Sequence, residues 1–125
     1  MISSIILAGG QATRMNGVDK GLVILQNKPL IAHVIARLKP QADEIFINAN
    51  REIAAYESFD YPVLQDENAD FIGPLAGFSL GLQHAKYEYV LTVPCDSPLL
   101  PLDLADRLLN GMAEARAEIA VASSD

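Results

Sequence analysis

Ile5-Ile6-Leu7 begins an apolar, β-branched run that stops at Ala8-Gly9-Gly10, the pattern of a buried strand ending in a tight turn. From Pro29 to Lys39 the apolar residues Leu30, Ile31, Val34, Ile35 and Leu38 recur at helical spacing, with Pro29 suited to a first helical turn and Pro40 to a stop. The first unit is thus predicted to be strand, long loop, helix. Glu44 to Asn48, centred on Ile45, Phe46 and Ile47, reads as a second buried strand. It runs into the polar loop Asn48-Ala49-Asn50-Arg51, and a short helix follows around Ile53 to Glu57. Pro62-Val63-Leu64 predicts a third, short strand. After a loop from Asp66 to Gly73, Leu75 to Ala85 reads as an apolar helix whose small residues Ala76, Gly77 and Gly81 permit close packing. Tyr89 to Val93 predicts a fourth strand ending at Pro94-Cys95-Asp96. Leu102 to Ala117 is an amphipathic helix, and Ile119 to Ala122 begins a fifth strand.

Short apolar strands alternating with helices imply βαβ units with right-handed crossovers and a mostly parallel sheet covered on both faces. The expected fold is a Rossmann-like three-layer α/β/α sandwich. A chain of 125 residues suits one domain, here residues 1–125. It stops directly after what reads as a core strand, so a truncated sheet and the N-terminal part of a longer protein are expected.

In open α/β sheets, ligands bind beyond the carboxyl ends of the strands. That rule selects the loops Ala8 to Lys20, Asn48 to Arg51, Asp66 to Gly73 and Pro94 to Pro98. In the first, Gly9 and Gly10 lack a Cβ, so backbone N–H groups can turn toward phosphate oxygens at close range. Arg14 offers a planar fork to a phosphate and Lys20 a mobile point charge. The string is neither a P-loop, which needs Gly-Lys-Ser/Thr, nor the dinucleotide fingerprint. Asp96, after the fourth strand, is the candidate metal ligand, since Mg²⁺ favours one or two carboxylates plus phosphate oxygens. A loop-capping aspartate is the alternative reading. Cys95 reads as a buried small residue rather than a nucleophile, and His33 and His84, inside predicted helices, as structural or exposed.

A formal charge of −7 with a pI near 4.6 argues against nucleic acid and anionic membranes as partners, because both need a basic face. An anionic small molecule held by backbone N–H groups, one or two basic side chains and a metal ion is still allowed. The lone cysteine suits a reducing compartment. The first residues carry no basic flank, and no stretch is long enough to span a bilayer. A cytoplasmic protein is the expectation.

The run Leu7-Ala8-Gly9-Gly10, continuing to Arg14-Met15 and Lys20, resembles the opening of the nucleotidyltransferases, sugar-phosphate nucleotidyltransferases included. Asp19-Lys20-Gly21-Leu22, Gly73-Pro74-Leu75-Ala76-Gly77 and Pro94-Cys95-Asp96-Ser97-Pro98 narrow the resemblance to the molybdenum cofactor guanylyltransferases. It covers the whole chain, with Asn16 standing where many members have glycine.

The resemblance implies a nucleotide-diphospho-sugar transferase-like fold. It also implies transfer of GMP from GTP to molybdopterin carrying molybdenum, giving the guanine dinucleotide cofactor and pyrophosphate. Arg14, Lys20 and Asp96 would carry the reaction, with Mg²⁺ on Asp96. GTP would contact Leu7, Ala8, Gly9, Gly10, Lys20, Asn48, Asp66, Gly73, Pro74, Leu75 and Asp96. In that scheme Asn48 and Asp66 take the nucleoside; Asp66 also reads as a turn residue, and Gly73-Pro74-Leu75 as a helix start. A monomer is expected, with GTP, Mo-molybdopterin and molybdoenzyme maturation proteins as partners. The alternatives are a related nucleotidyltransferase using CTP or a sugar phosphate, and a GTP-binding fragment without turnover.

Overall fold

The structure, a computed structural model, describes residues 2–8, 14–15, 18–65 and 83–115. In chain order its elements are β1 (Ile2–Leu7), β2 (Arg14–Met15), β3 (Val18–Asp19), β4 (Ile24–Leu25), β5 (Lys28–Pro29) and α1 (Leu30–Leu38). They continue as β6 (Glu44–Asn48), α2 (Ile53–Glu57), β7 (Val63–Leu64), β8 (Tyr89–Pro94) and α3 (Leu104–Ala115). Single 3-10 turns lie at Lys20–Leu22 and Lys39–Gln41.

Four strands form the central sheet in the order β7-β6-β1-β8, and all three pairings are parallel. β1, flanked on both sides, begins at Ile2, ahead of the apolar run that marks it in the sequence. Ser3 and Ser4 lie buried in it because their hydroxyls are satisfied: Ser3 Oγ donates to Glu44 Oε1 at 2.7 Å and Ser4 Oγ to the Glu44 carbonyl at 2.8 Å. A buried hydroxyl without such a partner would cost about 1–3 kcal/mol.

Alternation along the strands sorts the core into two faces. Ile2 and Ile6 of β1, Ile45 and Ile47 of β6, and Leu91 and Val93 of β8 share one cluster. Ile31, Val34 and Leu38 of α1, Tyr56 of α2, and Leu104 and Ala105 of α3 pack into it. The α1 residues recur at i, i+3 and i+7, which puts them on one stripe of the helix. Each fully buried aliphatic side chain here contributes roughly 1.5–3 kcal/mol relative to exposure. Ile5 and Phe46 form a second cluster with Leu7 and Leu64, and the His84 ring stands 6.4 Å from that of Phe46. Gln83 and His84 are helical; the rest of the helix expected at residues 75–85 falls largely outside the described residues, as does the fifth strand.

The segment between β1 and α1, expected to be a long loop, contains two antiparallel two-residue ladders, β2 with β3 and β4 with β5. Gln26 and Asn27 join the second pair with positive φ of 50° and 68°, the backbone a two-residue hairpin turn requires. Leu30 N–H then donates to the Val23 carbonyl at 2.8 Å, so α1 starts from a fixed point.

Candidate nucleotide site

The carboxyl ends of the four parallel strands stand in one row. Leu7 pairs with Asn48 on one side and Pro94 on the other, and Asn48 pairs with Leu64. Two backbone bonds continue the row beyond the ladder: Ala8 N–H to the Asn48 carbonyl at 2.8 Å, and Ala49 N–H to the Leu64 carbonyl at 3.1 Å. The buried face also continues, through Ala8, Ala49 and Cys95. Loops leaving the sheet from this edge therefore start side by side on a packed floor.

Of the residues expected to bind the nucleotide, Leu7, Ala8, Asn48 and Asp96 lie on this row or within two residues of it. Asn48 is 3% exposed, and its amide Nδ2 donates to the Leu64 carbonyl at 3.2 Å, tying β6 to β7. Asp96 is half-buried in the turn after β8. Lys20, also half-buried, opens the 3-10 turn after β3, and Arg14 is the ladder partner of Asp19. Gly9, Gly10, Asp66, Gly73, Pro74 and Leu75 lie outside the described residues.

Lys20 and Asp96 are brought to the same edge by their neighbours. A Cβ placed on Gly21 would stand 3.2 Å from Cys95 Cβ, 3.3 Å from Cys95 Sγ and 3.0 Å from Tyr56 Oη. Gly21 thus lies against Cys95, a contact that only glycine fits without displacement, and Lys20 and Asp96 are the chain neighbours of the two touching residues.

Asp19, to which the sequence assigns no role of its own, is a buried charge at this edge. The Asp19 side chain is 1% exposed, and Arg51 Nε donates to its Oδ1 at 2.6 Å. Tyr56 Oη donates to Oδ2 at 3.4 Å. Burial, and next the Asp19 charge, raise the Tyr56 hydroxyl pKa far above its ordinary value. Burial also pushes the Cys95 thiol up from 9.0 to about 11, reinforced by the Asp96 charge and opposed by backbone N–H bonds. Cys95 is therefore a protonated packing residue at neutral pH, as expected. His33 is structural too, its Nε2 lying 2.7 Å from the Leu25 carbonyl.

The donor set suits a cation carried largely by its ligand. Among the described residues no group of three or more His, Cys, Asp and Glu side chains gathers as a metal cage. Asp19 is committed to Arg51 and Tyr56, whereas Asp96, the chain neighbour of the Cys95 on which Gly21 packs, is a half-buried carboxylate. Mg²⁺ is commonly held by one or two carboxylates together with substrate phosphates and water, and Asp96 fits that pattern.

A parallel sheet with level strand ends, and the Lys20-Gly21 segment packed on Cys95 where the sheet ends, is the arrangement in which open α/β proteins bind ligands. Residues 4–125 match the MobA-like NTP transferase domain, and the chain belongs to that family. Over 123 residues it is 56% identical to the molybdenum cofactor guanylyltransferase of Polynucleobacter asymbioticus, an alignment covering 98% of this chain and 62% of that protein. Against the molybdenum cofactor guanylyltransferase of Shewanella putrefaciens the identity is 53%, covering 98% and 63%. The chain thus spans less than two thirds of these relatives' length.

Among solved structures, the molybdopterin-guanine dinucleotide biosynthesis protein A of Archaeoglobus fulgidus superposes with a TM-score of 0.64 at 21% identity, over 92% of this chain and 57% of that one. The bifunctional IspDF of Campylobacter jejuni gives 0.71 at 23%, over 90% and 31%. At these identities the likeness is one of fold, and it is the expected one. No described helix is long and apolar enough to cross a membrane.

Proposed function

We propose that this chain forms the nucleotide-binding portion of a molybdenum cofactor guanylyltransferase, transferring GMP from GTP to Mo-molybdopterin. The observation that carries the reading is the packing of Gly21 against Cys95, which brings the segments carrying Lys20 and Asp96 together at the level strand ends. Family membership and the names of its relatives support it.

In this reading Gly9, Gly10, Arg14 and Lys20 hold the triphosphate, with Leu7 and Ala8 leading the backbone into it. Asn48 and Asp66 take the nucleoside, and Gly73, Pro74 and Leu75 approach the base. Asp96 holds Mg²⁺, which supplies charge stabilisation at the α-phosphate and the departing pyrophosphate when bound. The terminal phosphate oxygen of the pterin attacks the α-phosphorus in line. The α–β bridging P–O bond breaks, and its electron pair leaves with pyrophosphate. The protein's part is positioning and electrostatics rather than proton abstraction. Reduced cytoplasm is the setting, with molybdoenzyme maturation proteins as recipients of the product.

Titration calorimetry of the full-length protein with GTP, CTP and UTP in the presence of Mg²⁺ tests the nucleotide. Tightest binding of GTP is expected; preference for CTP refutes the reading.

A further inference from the structure

We infer that Asp19 is a positioning residue for the triphosphate site, acting through Lys20 and Arg14 rather than on the ligand. The inference rests on the reading above that these two cations hold phosphates. Both hang from Asp19, Lys20 as the next residue in the chain and Arg14 as its partner in the β2–β3 ladder. Asp19 in turn is tied to the far side of the site. Arg51, 32 residues later in the loop that follows β6, reaches its Oδ1 at 2.6 Å, and Tyr56 of α2 reaches Oδ2.

A flexible lysine contributes little directed charge unless its backbone is held. Here the peptide is gripped on both sides: Asp19 by Arg51, and Gly21 by Cys95. Arg51 has a second effect. A buried carboxylate beside a phosphate site would repel the ligand, and the guanidinium offsets that charge where it stands. Arg51 therefore acts through Asp19, although it belongs to a strand-end loop of the kind that meets ligands directly.

Charge and positioning make opposite demands, which gives a decisive test. Asp19→Asn is isosteric and renders the site one charge more positive, so an electrostatic effect alone would tighten GTP binding. The positioning role predicts the reverse. In calorimetry on the full-length protein, Asp19→Asn is expected to weaken GTP about tenfold while leaving guanosine affinity unchanged. Combined with Lys20→Ala and Arg14→Ala, it is expected to weaken GTP little beyond that double variant alone.

Tighter or unchanged GTP binding by Asp19→Asn overturns the inference. So does an equal loss of guanosine and GTP, or a full additive loss in the Lys20→Ala, Arg14→Ala background. If Lys20→Ala binds GTP as tightly as the parent, the phosphate reading itself falls, and the inference with it. Arg51→Lys keeps the charge but loses the planar Nε donor, and it is read by the same comparisons should Asp19→Asn fail to fold.

Discussion

Arg51 and Asp19 meet through a 2.6 Å bond between Nε and Oδ1, with the carboxylate sealed from solvent and the guanidinium side chain 22% exposed. The pair joins the loop after β6 to the segment that carries Lys20. Removing one partner of a buried pair strands the other charge. Arg51→Ala is accordingly expected to lower unfolding free energy by about 3 kcal/mol, measured by urea titration. A loss below about 1 kcal/mol would mean that water reaches Asp19 and the pair is effectively a surface one.

Gly21 is the second joint. Its absent Cβ leaves room for Tyr56 Oη and Cys95, and overpacking of this kind costs about 1–3 kcal/mol. Gly21→Ala is expected to be destabilised within that range. The cost should shrink in a Tyr56→Phe background, where the nearest of the three atoms is gone. Equal costs in both backgrounds would show that the hydroxyl is not the obstacle.

Cys95 makes stability pH-dependent on the alkaline side. Its folded pKa of about 11 exceeds the ordinary 9.0, so the unfolded thiol releases its proton first and the unfolded state binds fewer protons. Stability is expected to fall between pH 9 and 11, by about 2 kcal/mol from this group. Tyr56, also raised, adds to the loss at higher pH. In urea titrations across this window, Cys95→Ala should flatten the slope. An unchanged slope would assign the loss to other groups.

The main elements could be read from the sequence because hydrophobic runs of the right period mark them. α1 and β6 fall where Leu30 to Leu38 and Glu44 to Asn48 predict, and β8 gains only Pro94. The helix expected from Leu102 spans Leu104–Ala115. β1 extends beyond its apolar run because Ser3 and Ser4, polar by type, are satisfied inside the sheet by Glu44. Two-residue ladders carry no periodicity, so β2 to β5 were hidden. The strand-end rule selects Lys20 and Asp96. Asp19 falls in the first of the strand-end loops and in the Asp19-Lys20-Gly21-Leu22 motif, but the sequence does not show its burial, because its cation comes from a distant loop. Arg51, in a loop already marked as ligand-facing, was the available signal.

Asn48 joins the fold to the site. Its Nδ2 donates to the Leu64 carbonyl, and Asn48→Asp would turn that donor into an acceptor facing an acceptor. A loss of about 1–3 kcal/mol in thermal unfolding is expected, together with weaker GTP binding if Asn48 serves the nucleoside. Unaltered stability would show that the amide bond to β7 contributes nothing.

Asp96 is the residue on which the proposed mechanism turns. The direct measurement is the rate of GMP transfer from GTP to Mo-molybdopterin by the full-length protein carrying Asp96→Ala, at saturating Mg²⁺. Removing a group that stabilises developing charge in such a site costs at least about 100-fold in rate, and a loss of that size is expected here. Transfer at the parental rate would contradict the assignment of Asp96 and the mechanism built on it.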